Sequence, residues 1–102
     1  MSALMNEVKM DKISELMQKK TTPTGWEFVV TISGTDHFTT THEVVVDNEY
    51  YHELTDGRIT PKELVRRSIE FLLKKESKES ILPSFNLREI SDYFPDFENS
   101  LS

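Results

Sequence analysis

The sequence predicts an α+β domain in which a small antiparallel sheet packs against one main helix. Two segments, residues 26–33 and 38–46, alternate apolar and polar residues as half-buried strands do, and residues 60–75 have the spacing of an amphipathic helix. A chain of 102 residues is long enough for one domain with a modest core. Because a two-stranded sheet is marginal on its own, we expect a third strand or pairing with a second copy to complete it.

The main helix, residues 60–75, is the segment around which we expect the domain to be organised. Thr60 is a good N-cap, Pro61 fits the first helical position, and Glu63 can complete a capping box. The helix has one broad apolar face, formed by Leu64, Val65, Ser68, Ile69, Phe71, Leu72 and Leu73. Leu72 lies in the middle of this face, so we expect it to be a core residue.

The two predicted strands restrict how they can pair. In both strands the more apolar face carries the even-numbered residues, for example Phe28 in the first strand and Val44 in the second. Directly opposed residues of an antiparallel pair lie on the same face, and their residue numbers have a constant sum. The loop between the strands must therefore contain an odd number of residues, because any other register would turn one apolar face outward.

Two short helices, residues 48–54 and 86–94, are expected beside the main one. In the second, Asn86 and Glu89 have the spacing of a capping box, and Pro95 ends the helix. We predict that the apolar residues in and around this helix belong to the core: Phe85, Leu87, Ile90, Tyr93, Phe94 and Phe97. Exposed together, they would form a sticky patch that monomeric proteins seldom tolerate.

Composition separates both ends of the chain from the globular part, residues 25–98. Residues 7–20 carry apolar side chains at helical spacing, so residues 1–24 are interpreted as an amphipathic helix or a flexible tail, followed by a linker. The helix would dock on the domain, whereas the tail would not. Residues 99–102 are expected to form a disordered tail.

The composition also disfavours several classes of function. The net charge of −6 disfavours nucleic-acid binding by long-range attraction, and no apolar run approaches the roughly 18 residues of a membrane helix. The absence of cysteine excludes disulfides and thiolate chemistry. Together with the lack of a signal peptide, this absence favours a cytoplasmic location. The charge is uneven, because residues 25–59 carry −6 and residues 60–80 carry +2.

The sequence contains no pattern typical of a catalytic site, a cofactor site or a metal site. We therefore expect no cofactor and no metal, and the sequence does not favour an enzyme. The residues that remain as candidates for binding are His42, Tyr50, Tyr51, Arg66 and Arg67. A histidine on the apolar face of a strand usually has a structural role. Tyrosines in a short helix suit a core or a groove, and the arginines form a basic patch without interleaved aromatics.

Several segments carry a resemblance to a known family. Residues 67–73 (RSIEFLL), 78–82 (KESIL) and 93–95 (YFP) resemble a family of small bacterial and archaeal proteins of about this length and of unknown function. The same pattern continues at residues 25–28 and 41–44, and at Phe85, Leu87 and Ile90.

The resemblance covers residues 25–98 and leaves the first 24 residues outside. The sequence departs from the family pattern at Ile69, where an aromatic is expected, and at Ser77, where proline is expected. No function follows from the family. The resemblance therefore supports the boundaries of the globular part.

Two functions from different classes remain as hypotheses. The first is a non-enzymatic binding or protein-interaction module whose partner is another protein or a second copy of the chain. The alternative is a small-molecule-binding or hydrolytic domain that uses His42 and nearby acidic residues. A pocket beside His42 would favour the second hypothesis.

Overall fold

Three consecutive strands open the part of the chain that the computed structural model describes, residues 10–101. They are β1 (Lys12–Thr22), β2 (Gly25–Ser33) and β3 (Thr39–Asp47), and the helices α1 (Asn48–Thr55) and α2 (Pro61–Lys75) follow. The remaining elements are short: β4 (Ser84–Asn86), α3 (Ile90–Tyr93), α4 (Phe97–Ser100) and single 3₁₀ turns at Lys78–Ser80 and Leu87–Glu89. The predicted α+β class is confirmed.

The strands form one sheet in the order β1-β2-β3-β4. The first three strands are antiparallel, and β4 pairs in parallel with β3. The sheet is therefore mixed, and not purely antiparallel as predicted. A strand as short as Ser84–Asn86 leaves no visible alternation in the sequence, and its parallel partner is reached only after the crossover through α1 and α2.

The register of β2 and β3 agrees with the prediction from strand parity. Phe28 lies opposite Val44, and Ser33 lies opposite Thr39 across a loop of odd length, residues 34–38. Phe38 was expected on the apolar face of the second strand, but it lies in this loop and is 69% exposed. The strand begins one residue later, at Thr39, because the turn ends there.

The predicted N-terminal helix is wrong, because residues 12–22 form strand β1. Residues 7–9 of the predicted helix lie outside the part of the chain that the structure describes. A bulge between Ile13 and Glu15 explains the misleading pattern. The bulge adds a residue, so that Ile13 and Leu16, three positions apart, face the same side and pair with Ile32 and Val30 of β2. Of the predicted linker, residues 21–25, only residues 23 and 24 form a turn, which joins β1 and β2.

The main helix begins with the predicted N-cap, although the Glu63 carboxylate bonds to Arg66 and Arg67 instead of completing the capping box. The Thr60 hydroxyl accepts a hydrogen bond from the Glu63 backbone N–H at 3.1 Å, and Pro61 occupies the first turn. The apolar face of α2 packs on the even-numbered face of the sheet, and Leu72 is buried as expected. The fully buried residues at this interface include Phe28, Val30, Ile32, Val44, Val46, Leu64, Val65 and Ile69.

The C-terminal segment belongs to the core, although it is not the single helix 86–94 of the prediction. Asn86 still pairs with β3, so the capping box of Asn86 and Glu89 opens a 3₁₀ turn that leads into the single turn of α3. Phe85, Leu87, Ile90 and Phe97 are buried, Phe94 is half-buried, and Tyr93 is 68% exposed. Burial of most of these residues confirms that the segment completes the core.

The sequence predicted a disordered tail at residues 99–102, but residues 99 and 100 belong to a helix. Helix α4 covers Phe97–Ser100, and Leu101 is half-buried against the core. Because Phe97 is fully buried, it holds the end of the chain close to α2. Ser102 lies outside the described residues.

A buried lysine connects the end of α2 to the sheet. The ammonium of Lys78 lies 2.9 Å from carboxylate oxygens of Asp36 and Glu79 and 3.4 Å from Asp11. Its backbone N–H also donates to Asp11 at 2.9 Å. Burial by itself would lower the pKa of Lys78, but the hydrogen bonds to Asp36 and Glu79 raise it above its usual value. Lys78 is therefore charged and joins three separate parts of the chain.

Among residues 10–101, no helix is long and apolar enough to cross a membrane. The longest helix, α2, has 15 residues and carries charged side chains along its outer face.

We expect Gly25→Ala to destabilise the fold strongly, by about 3 kcal/mol. A Cβ atom at Gly25 would overlap the Val46 carbonyl oxygen and lie 3.1 Å from the Asn48 backbone nitrogen, and backbone atoms cannot move aside easily. Chemical denaturation of the variant measures the loss.

The matched control is Gly57→Ala. Gly57 has a φ of +75° and open space around its Cα, so the substitution costs only about 1 kcal/mol of backbone strain. Equal losses for the two variants would mean that the close approach of β2 to Val46 is not tight.

Candidate functional site

An apolar groove of about 350 Å³ lies between the last turns of α2 and the segment of residues 80–94. We call it the C-terminal groove. Its apolar lining consists of Leu72, Ile81, Leu82, Phe85, Ile90, Tyr93 and Phe94. The polar residues that line it are Glu76, Ser80 and Glu89. It is open to solvent, so a ligand could enter without rearrangement of the core.

The groove combines a buried floor with an exposed rim. Leu72 and Phe85 are buried, since they belong to the core beneath the groove. Leu82 and Tyr93 lie on the rim and are 46% and 68% exposed. Large apolar side chains that remain in solvent next to an apolar concavity are typical of a surface that binds a partner.

The Leu82 side of the groove is held in place by β3. The Leu82 carbonyl lies 2.7 Å from Nδ1 of His42, and the Glu43 backbone N–H donates to the Pro83 carbonyl at 2.8 Å. A carbonyl oxygen can only accept, so Nδ1 of His42 carries the proton and donates. In the neutral ring, Nε2 accepts from the Thr40 hydroxyl at 2.8 Å. His42 is 2% exposed and therefore positions the wall of the groove from behind.

The charges on the groove are acidic. Glu76 lies just after α2, and Glu89 lies on the facing segment, where its carboxylate accepts from the Asn86 backbone N–H at 3.2 Å. Among the described residues that line the groove there is no lysine, arginine or histidine. Within residues 10–101, neither Glu76 nor Glu89 has a cation as a partner.

The two candidate tyrosines have structural contacts. Tyr51 packs edge-on against Trp26, with ring centroids 5.2 Å apart, and its hydroxyl donates to the Ile59 carbonyl. The Tyr50 hydroxyl donates to Glu98 at 2.8 Å, and the Arg88 guanidinium lies 4.8 Å from the centre of the Tyr50 ring. Burial, followed by the bond to Glu98, raises the pKa of Tyr50 to about 12. Tyr50 therefore stays protonated at neutral pH and fastens α4 to α1.

The two candidate arginines lie on the outer face of α2 and are already paired. Arg67 bonds to Glu63 at 2.9 Å, and Arg66 bonds to Glu63 and, at 3.1 Å, to Glu70. The hydrogen bonds from Arg66 and then Arg67 hold the pKa of Glu63 below its usual value. Glu63 and Glu70 balance the charge of the two arginines, so the predicted basic patch has little net positive charge.

The five residues singled out from the sequence do not form one site. His42 is on β3, Tyr50 and Tyr51 are on α1, and Arg66 and Arg67 are on the outer face of α2; none of them lines the C-terminal groove. Sequence reasoning missed the groove, because it placed Tyr93 in the core and gave Leu82 no role in binding. The available signal was the excess of large apolar residues after residue 80.

Within the described part of the chain, no group of three or more His, Cys, Asp or Glu side chains could hold a metal ion. The carboxylates of Asp11, Asp36 and Glu79 do converge, but the ammonium of Lys78 occupies their centre. Lys78 thus supplies the positive charge that these carboxylates need.

Comparison with known proteins yields no relative for this chain. No family model matches it, and neither a curated protein nor a solved structure matches. The resemblance described from the sequence therefore stays a prediction, and the groove is interpreted from its own geometry.

We expect His42→Ala to lower the free energy of unfolding by about 1–3 kcal/mol, because it leaves the Leu82 carbonyl without its donor. Urea denaturation measures the effect. His52→Ala is the control, since His52 is exposed on α1. A variant with unchanged stability would contradict the positioning role of His42.

Tyr50→Phe gives a prediction about pH dependence. Because the pKa of Tyr50 is raised from 10 to about 12 in the fold, its contribution to stability is complete below pH 10 and is lost as the pH rises towards 12. The variant should be less stable by about 1 kcal/mol at neutral pH, from the lost bond to Glu98. It should also lose less stability than the wild type between these pH values. Denaturation at several pH values measures both effects, and parallel curves for the two proteins would contradict the shifted pKa.

Proposed function

We propose that this protein is a non-enzymatic binding module that takes up apolar side chains of a protein partner in the C-terminal groove. The observation that carries the proposal is the exposed rim of Leu82 and Tyr93 above a buried apolar floor. A molecule that covered the groove would bury the exposed part of both side chains, 46% of Leu82 and 68% of Tyr93. Partially exposed aromatic and aliphatic residues around a concavity are the usual anchors of protein interfaces.

The chemistry of the groove lining supports binding over catalysis. Its potential reacting groups are the hydroxyls of Ser80 and Tyr93 and the carboxylates of Glu76 and Glu89. A serine becomes a nucleophile when a base lies within hydrogen-bond reach, and the partner of Ser80 is the hydroxyl of Ser77 at 3.4 Å. This lining therefore favours a binding function.

The alternative of a hydrolytic or small-molecule site at His42 has no observation in its favour. His42 is buried, both of its ring nitrogens have hydrogen-bond partners, and it does not line the groove. A general base must reach the proton that it removes, either directly or through one water molecule. The cytoplasmic location expected from the cysteine-free sequence is part of the proposal as the setting in which the module works.

The proposal predicts that exposed rim residues are needed for binding but not for folding. Leu82→Ser and Tyr93→Ser should keep the melting temperature within a few degrees, because Tyr93 is largely in solvent and Leu82 is about half exposed. Each variant should bind the partner that the wild type captures with an affinity at least about tenfold lower, as expected when an interface anchor is truncated. Capture from the native host, followed by calorimetric titration of the purified partner, measures the change.

Glu53→Gln is the matched control, since Glu53 is exposed on α1 and does not line the groove. It should bind the purified partner as the wild type does. Equal binding by the wild type, both rim variants and the control would show that the partner uses another surface, and the proposed function would then fall.

A further inference from the structure

The two charged residues of the C-terminal groove are both acids, and both lack a counter-ion in residues 10–101. From this we infer that the groove binds an apolar segment of another protein that carries lysine or arginine beside its apolar side chains. The inference deepens the proposed function and rests on it, since it adds the chemistry of the partner to the same site.

Three cations close to the groove residues in the chain are already engaged. Lys75 bonds to Asp96 at 2.9 Å and lies over the ring of Phe71. Lys78 is buried among its own carboxylates, and Arg88 pairs with Asp47 at 3.3 Å. The described part of the chain therefore supplies no positive charge to Glu76 or Glu89, whereas acids elsewhere on α2, such as Glu63, have arginine partners.

Covering the groove has a consequence for these two acids. A partner without charge would displace water from Glu76 and Glu89 without forming ion pairs with them. Such desolvation is unfavourable for a carboxylate. A lysine or arginine at the edge of the apolar contact restores the interaction that the water supplied, and arginine can do so through two parallel hydrogen bonds. The acids thus select against uncharged and acidic segments that would fit the apolar floor equally well.

The charge of the whole chain acts in the same direction. The net charge is −6, so a basic segment is attracted during diffusion and an acidic one is repelled. This attraction is screened by salt over about 8–10 Å, and binding should therefore weaken as the salt concentration rises. A segment with apolar residues at helical spacing and basic residues on either side of them matches both the floor and the rim.

Two synthetic peptides test the inference with the full-length chain. Both have about 15 residues, roughly four helical turns, with leucines at i, i+3, i+4 and i+7. One carries lysine at the flanking positions and the other carries glutamate. Fluorescence anisotropy should show that the lysine peptide binds at least about tenfold more tightly, and that its affinity falls with added salt.

The double variant Glu76→Gln, Glu89→Gln should reduce this preference to the part that the remaining net negative charge of the chain supplies. Glutamine at position 89 can keep the capping box with Asn86, so the variant retains the fold, which its melting temperature checks. Glu53→Gln is the control and should keep the full preference. If the double variant still prefers the lysine peptide as strongly as the wild type does, the inference is overturned.

The remaining outcomes separate the inference from the proposed function. If Leu82→Ser and Tyr93→Ser abolish capture of the host partner but the wild type does not bind the lysine peptide or shows no preference for it, the groove is a binding site and only the basic chemistry is wrong. A benzoylphenylalanine placed at position 93 identifies the occupant by cross-linking. A cross-link to a second copy or to residues 1–9 of the same chain would overturn the inference of a separate basic partner.

Discussion

The pairing of β2 with β3 in the register that sets Phe28 opposite Val44 is the constraint on which the rest of the structure depends. It turns the even-numbered side chains of both strands to one side, where α2 covers them. A shift by one residue would expose this entire set. The two flanking strands turn apolar side chains to the same face of the sheet, because Leu16 of β1 pairs with Val30 and Phe85 of β4 pairs with Val44. Gly25 allows the start of β2 to approach the Val46 carbonyl, which a larger residue would prevent.

The buried ammonium of Lys78 is the polar counterpart of this apolar constraint. It joins the end of α2 to the start of β1 through Asp11 and to the β2–β3 loop through Asp36. Buried ion clusters of this kind contribute little more stability than apolar residues of similar size would, but removal of one partner leaves the others unpaired. We interpret the cluster as a device that fixes where the chain leaves α2, and therefore where the wall of the C-terminal groove begins.

The groove is a consequence of how the segment after α2 returns to the sheet. Residues 81–83 cross towards the edge of β3, where His42 and Glu43 bind the carbonyls of Leu82 and Pro83. This leaves a concavity between the returning chain and α2 that the core does not fill. His42 thus positions the wall of the groove from behind, without lining it. In the binding function proposed above, the lack of a cation partner for Glu76 and Glu89 within residues 10–101 is what would select a basic partner.

The sequence by itself determined the elements that depend on neighbouring residues. The Thr60 cap, the apolar face of α2, the capping box at Asn86 and the parity of the β2–β3 pair were all readable, because each rests on residues a few positions apart or on a simple period. Only the tertiary structure decided the identity of β1, since a bulge placed Ile13 and Leu16 on one face at a spacing that also suits a helix.

The parallel strand β4 and the groove depended on tertiary structure in the same way. The contacts that create them join Asp11 to Lys78 and His42 to Leu82, residues that are 67 and 40 positions apart in the chain. No local propensity encodes which distant carboxylate will surround a lysine or which carbonyl a histidine will bind. Such pairings are fixed only when the core brings the segments together, because burial then makes each unpaired polar group costly.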